Sequence, residues 1–191
     1  MNKAAPSSEW ADGWWLHARH VPSPNHGQRP AGATVDLAVI HSISLPPGVY
    51  GGPEIEQLFT NALDWNAHPY FQSIAGLEVS SHFVIRRDGQ TDQYVSIHDR
   101  AWHAGASSWQ GRNNCNDYSV GIELEGLEGD VFDDAQYAAL ARLLRSLSQQ
   151  QGVQLVAGHE HISPGRKCDP GDGFDWQHLQ QRLSDTPLIW P

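Results

Sequence analysis

The chain has 191 residues, enough for one well-packed domain, and its 22 acidic against 12 basic residues leave a formal charge of -10, which repels phosphate backbones and sets nucleic acid aside as a partner. Its two cysteines, Cys115 and Cys168, are too few for a disulfide framework and suit a reducing compartment. The N-terminal stretch has no continuous apolar h-region, and no later segment approaches the roughly 20 apolar residues of a bilayer span, so the expectation is a soluble, cytoplasmic protein without a membrane partner. A monomer is expected, although nothing in the pattern bears on oligomeric state.

Residues 1–33 mix tryptophans with Pro22, Pro24 and Pro30 and read as an irregular arm lying over the domain surface. Residues 35–43, VDLAVIHSI, are apolar on both faces almost to their end, which predicts a central strand with His41 near its C-terminus. A Pro/Gly-rich loop follows, then a helix from Glu54 to about Leu63, then a polar-aromatic connection through Asn66, His68, Pro69 and Tyr70. Residues 81–87 and 90–97 flank Asp88-Gly89, a dipeptide that favours a tight turn, so they are expected to pair antiparallel.

Residues 119–125, SVGIELE, alternate: Val120, Ile122 and Leu124 face one way, Glu123 and Glu125 the other. Asp133 is a good helix N-cap with Gln136 three residues on, and Leu140, Leu143, Leu144 and Leu147 form the apolar stripe of a helix ending near Gly152. A short strand over 154–157 and a last helix from near Asp175 complete the chain. Strand, hairpin and helix signals mix without strict alternation. The expected fold is therefore a single α/β domain, a central mixed sheet flanked by helices.

Residues 158–170, GHEHISPGRKCDP, concentrate groups that bind a cation. A hydrolytic zinc needs three protein ligands of nitrogen, sulfur or carboxylate type and an open position for water, and His41, His159 and Asp169 can supply them. Hydrolysis also needs a base for the water proton and a positive group beside the developing oxyanion, roles open to Glu123 and Lys167. The residues alone leave simpler readings standing. His41 is equally well a satisfied core histidine, Glu123 beside Glu125 the solvated face of an edge strand, and Lys167 a surface charge. Cys168 is chemically a good zinc ligand and also a passive small hydrophobe.

Longer matches weigh between these readings. VPSP at 21–24, VIHSISLPPG at 39–48, YGGP at 50–53, NAHPYF at 66–71, RAWHAG at 100–105, CNDYSVGIELEG at 115–126 and GRKCDPG at 165–171 occur in this order. On them the chain, from about Gly13 to Trp176, resembles the AmpD family of N-acetylmuramoyl-L-alanine amidases, within the wider group of peptidoglycan recognition proteins and amidase-type phage lysozymes. The resemblance implies one zinc per chain on His41, His159 and Asp169, with Glu123 as catalytic carboxylate and Lys167 as the cation near the reacting carbonyl. It implies that Ser42, Tyr70, His103 and Arg166 line a cleft for an anhydro-muropeptide. Because a chain of charge -10 needs a local cation to hold stem-peptide carboxylates, and a guanidinium grips a carboxylate bidentately, Arg166 is the candidate for that contact. It also implies an α/β fold and cleavage of the amide between (1,6-anhydro)N-acetylmuramic acid and L-alanine.

Three positions depart from the family pattern. Ser42 stands where the family carries asparagine, which changes one substrate hydrogen bond and not the metal set. Cys168 precedes the aspartate ligand, one residue out of register with the cysteine ligand of the phage lysozymes. His161, in an extended segment, would point the same way as His159 and offer an alternative ligand. Competing functions are a non-catalytic module that binds peptidoglycan fragments and an exported wall-lytic amidase. The complete ligand set argues against the first and the missing export signal against the second.

Overall fold

The computed structural model describes residues 8–191, so the first seven residues of the predicted arm lie outside the described residues. Six strands form one mixed sheet: β1 (Arg19–His20), β2 (Leu37–Ile43), β3 (Phe83–Ile85), β4 (Thr91–Gln93), β5 (Ser119–Glu125) and β6 (Leu155–Gly158), in the spatial order β6-β2-β5-β3-β4-β1. β6, β2, β5 and β3 run parallel to one another, β4 pairs antiparallel with β3, and β1 closes the edge parallel to β4. The fold is α/β, as the element pattern predicted. β2 is central because it carries apolar residues on both faces and so cannot leave either one wet.

The alternation of β5 assigns the two faces. Val120, Ile122 and Leu124 pack with Ala38, Ile40 and the leucines of the long helix α3 (Asp134–Gln151) in the main core. α3 begins and ends as its caps dictate. The Gln136 side chain accepts from the Asp133 amide at 3.1 Å, and Gly152, at φ 81°, takes the left-handed cap that a residue with a Cβ would resist. α5 (Trp176–Arg182) packs beside α3 and starts at Asp175, whose carboxylate accepts from the His178 amide at 2.9 Å. The opposite face is covered by α1 (Glu54–Phe59) and α2 (Pro69–Ser73), which contribute Ile55, Leu58, Phe59 and Phe71 to a second cluster with Val84 and Tyr94.

Four expectations change. Residues 119–125 are no edge strand: β5 lies between β2 and β3 and is buried along its whole length. The first helix stops at Phe59, short of Leu63, because Asn61 turns the chain at φ 58° and exchanges side-chain amide hydrogen bonds with Asn25. The second hairpin strand is cut to Thr91–Gln93, since residues beyond it bond to the N-terminal segment, Ser23 N to Tyr94 O and Ile97 N to Gly13 O. That segment is no surface arm either. Trp10 and Trp15 are 7% and 2% exposed within the main core, Trp10 Nε1 donates to Ser146 Oγ on α3, and Arg19–His20 is a sheet strand. Two indoles, each burying on the order of 200 Å², outweigh the polar residues between them. No helix among the described residues is long and apolar enough to cross a membrane.

Candidate metal centre

Parallel pairing sets the site. β5 and β2 match Glu123 to His41, and β6 matches Gly158 to Ile40, so the C-terminal ends of three adjacent strands deliver His41, Glu123 and the start of the next segment at one level. Partnered residues of neighbouring parallel strands point to the same face, and this face is the one opposite α3. Directly after β6 the chain turns into the single helical turn α4 (His159–Ile162), which aims His159 back over the strand ends. Asp169 is tied in from the following loop, its carbonyl accepting from the Glu160 amide at 2.9 Å.

Three ligand atoms meet there. His41 Nδ1 lies 3.0 Å from His159 Nδ1 and 3.2 Å from Asp169 Oδ2, and His159 Nδ1 lies 3.1 Å from the same carboxylate oxygen. All three residues are buried, and they are the one such group among the described residues. Two donors 2.0–2.1 Å from a tetrahedral ion stand roughly 3.3 Å apart, so a triangle of this size and composition fits zinc with one position left for water. His159 Nε2, 3.1 Å from the Ala104 carbonyl, donates to it, which leaves Nδ1 as a lone pair.

The surroundings tune these groups. Burial pushes His41 down to about 4, and the neighbouring His159 adds to this, which favours the neutral imidazole that a metal site needs. Burial works the other way on Asp169, but hydrogen bonds with His159 and His41 hold its carboxyl well below the usual range. Glu123 is pushed well above the usual range, chiefly by burial and then by the Asp169 charge, with Lys167 partly countering. Glu125, on the same face of the same strand, has another fate. Its carboxylate accepts from Arg86 Nη1 at 3.2 Å, the Gly51 amide at 2.7 Å and the Arg87 amide at 3.3 Å. Glu125 is thus held in structural contacts, whereas among the described residues no arginine pairs with Glu123.

Residues 31–172 match the N-acetylmuramoyl-L-alanine amidase family (Amidase_2). The chain belongs to that family. It is 52% identical over 177 residues to the 1,6-anhydro-N-acetylmuramyl-L-alanine amidase AmpD of Citrobacter freundii, spanning 92% of this chain and 95% of that protein. It superposes on the crystal structure of a selenomethionine AmpD derivative with a TM-score of 0.86 at 49% identity, covering 90% of this chain and 97% of that one. A more distant neighbour is Escherichia coli AmiD, solved in complex with the substrate anhydro-N-acetylmuramic acid-L-Ala-D-gamma-Glu-L-Lys. It has a TM-score of 0.56 at 26% identity and covers 81% of this chain and 60% of that one.

In this family member the ligand triangle opens into a cavity of about 310 Å³ that also holds Glu123 and Lys167. Ser42, Tyr70 and His103 line it, together with Trp102, Leu77 and Leu127, apolar residues that no periodic pattern marks in the sequence. A larger cavity of about 640 Å³ lies over Arg86, Asp92 and Glu125, whose charges pair with one another or with Arg19, and it contains none of the ligand atoms.

Arg166, expected to line the cleft, is not among the residues around this cavity; its guanidinium donates to Ala104 O and Ala106 O of the segment after His103 and to Ser163 Oγ of the turn before it, at 2.7–2.9 Å. Arg166→Ala should therefore lower the melting temperature, and KM should change equally for stem peptides with free and with amidated carboxyls. A selective loss on the charged stem would return Arg166 to carboxylate recognition. His161 lies in a helical turn, where its Nδ1 accepts from the Gly158 amide and its ring meets Trp176 edge-on at 5.4 Å. Cys168 is exposed, and neither residue joins the ligand group.

Proposed function

We propose that this chain, holding one zinc ion on His41, His159 and Asp169, hydrolyses the amide bond between (1,6-anhydro)N-acetylmuramic acid and L-alanine in soluble muropeptides. We assign the reaction to cytoplasmic recycling of cell-wall fragments. The observation that carries this reading is the buried His-His-Asp triangle facing a cavity that contains a buried carboxyl and a lysine. It is supported by the AmpD relatives, which act on this bond by name and align over nearly the whole chain.

Zinc bound there supplies Lewis acidity toward the amide carbonyl and lowers the pKa of a water from about 15.7 to roughly 7. The side chains do the rest. Glu123, level with His41 in the sheet, takes a proton from the attacking water and returns it to the departing alanine nitrogen. The products are the muramic acid carboxylate and a free peptide amine. Lys167, two residues before Asp169 and therefore tethered at the cavity, offers its ammonium to the oxyanion that forms on the carbonyl. Lys167 is exposed in the free chain, so this contact rises above the ~1 kcal/mol of an exposed ion pair only to the extent that bound substrate covers it.

Lys167→Ala should reduce kcat about 100-fold with zinc retained, and arginine should restore only part of it because a planar fork places its charge differently. The same variant should shift the acidic limb of the kcat/KM profile to higher pH. Lys167 lowers the Glu123 pKa, so without it the carboxyl ionises later and the base form appears at higher pH. Unchanged kcat and an unmoved limb would reduce Lys167 to a solvated charge. The overall reading is tested by mass spectrometry of products from anhydro-muropeptide and from intact sacculus, offered separately. Release of stem peptide from the soluble fragment alone is expected, and efficient cleavage of sacculus would replace recycling with wall lysis.

A further inference from the structure

Both histidines of the ligand triangle must present Nδ1 as a bare lone pair, and an imidazole does so only when its Nε2 carries the proton and has an acceptor for it. His159 meets this directly at the Ala104 carbonyl. The Nε2 of His41 instead faces His103 Nδ1 at 2.9 Å, a contact in which either ring is able to be the donor. The direction is decided two groups further away. His103 Nε2 lies 3.2 Å from Ser119 Oγ, and Ser119 Oγ lies 2.6 Å from the Cys115 carbonyl oxygen. A carbonyl has no proton to give, so the Ser119 hydroxyl donates to it and accepts from His103 Nε2–H. Neutral His103 then offers Nδ1 as an acceptor, and His41 donates to it through Nε2.

We propose that His103 is a positioning residue which, with Ser119, sets the tautomer and ring orientation of His41 so that its Nδ1 faces the metal. The inference rests on the zinc reading above and replaces a substrate-contacting role for His103.

The strand beneath is shaped for this ring. A Cβ at Gly121 would lie 2.5 Å from His103 Cγ and 2.7 Å from its Nδ1, so β5 lacks a side chain at the one place where the ring rests. The rings of His41 and His103 meet edge to face, 89° apart with centroids at 5.0 Å. The backbone is held as well. Asn116 Oδ1 accepts from both the His103 and the Ala104 amides, at 3.1 and 2.8 Å, so one clamped dipeptide supplies the outer hydrogen-bond partner of both histidine ligands.

Zinc affinity, measured by competition with a chromogenic chelator, tests this on the wild-type protein and three variants. His103→Leu should bind zinc roughly 10–100-fold more weakly. His103→Asn keeps an acceptor where Nδ1 was and should recover most of that loss. Ser119→Ala, which touches no ligand, should give a smaller loss. Unchanged affinity in His103→Leu, or equal weakness in the leucine and asparagine variants, overturns the proposal. Long-range 1H–15N correlation of the histidine rings in the wild-type protein decides independently of any variant's folding. A neutral His103 protonated at Nε2 is expected, and an Nδ1–H tautomer or an imidazolium overturns it. A wild-type protein that bound no zinc would remove the metal reading, while the ring spectrum would still decide the tautomer.

Discussion

Asp169→Ala should remove zinc and activity together. Its Oδ2 lies 3.1–3.2 Å from both histidine Nδ1 atoms, and it is the only carboxylate in the triangle, so its loss leaves two imidazoles to hold a dication. Changes to residues that merely orient a ligand cost 10–100-fold in metal affinity, so deletion of the ligand itself should cost more than roughly 100-fold. No neighbour is placed to substitute. Cys168 is exposed on the loop, and the His161 ring is engaged with the Gly158 amide and Trp176. Zinc stoichiometry and initial rate on one sample check this. A ligand that binds only the folded state raises its stability, so the zinc-dependent rise in melting temperature should also vanish. Stoichiometric zinc with full turnover would mean that the ligand set is wrong.

Glu123→Ala should keep zinc and lower kcat by roughly 10²–10⁴-fold, the range for loss of a general acid-base group. Glu123 is 8% exposed, has no arginine partner among the described residues, and burial followed by the Asp169 charge holds its carboxyl well above the usual range, so it keeps a proton more readily than an exposed glutamate and can return it to the leaving nitrogen. Glu123→Gln should be nearly as slow, since the amide fills the same space but cannot accept the proton. Near-normal turnover in both variants, or loss of zinc in either, would exclude the role. The Glu125 position is the natural contrast: the same residue type on the same face, but already paired with Arg86, so it should report in stability rather than in chemistry.

Much of the frame was legible because it depends on neighbours a few residues apart. The run of apolar residues before His41, the alternation around Glu123, the Asp133–Gln136 and Gly152 caps and the leucine stripe of α3 are local signals, and the structure carries each of them. The candidate chemistry was legible for the same reason, since residue types such as histidine, aspartate and lysine advertise what they can bind or donate. Position was not. The sequence cannot say that Arg166 lies where three backbone and hydroxyl acceptors take its guanidinium, or that α4 turns His161 away from His159.

What the amino-acid order by itself determined is the α/β pattern, the family resemblance and the set of groups able to make a metal site. The tertiary structure alone decided which of them meet. His41, His159 and Asp169 are 118 and 128 residues apart from first to second and first to third, and they meet only through the parallel register of β6, β2 and β5 and the turn after β6. The burial of Trp10 and Trp15 and the chain of hydrogen bonds from Cys115 through Ser119 and His103 to His41 have the same origin. Each needs partners far along the chain, and the free energy of such contacts exists only once the whole sheet has formed.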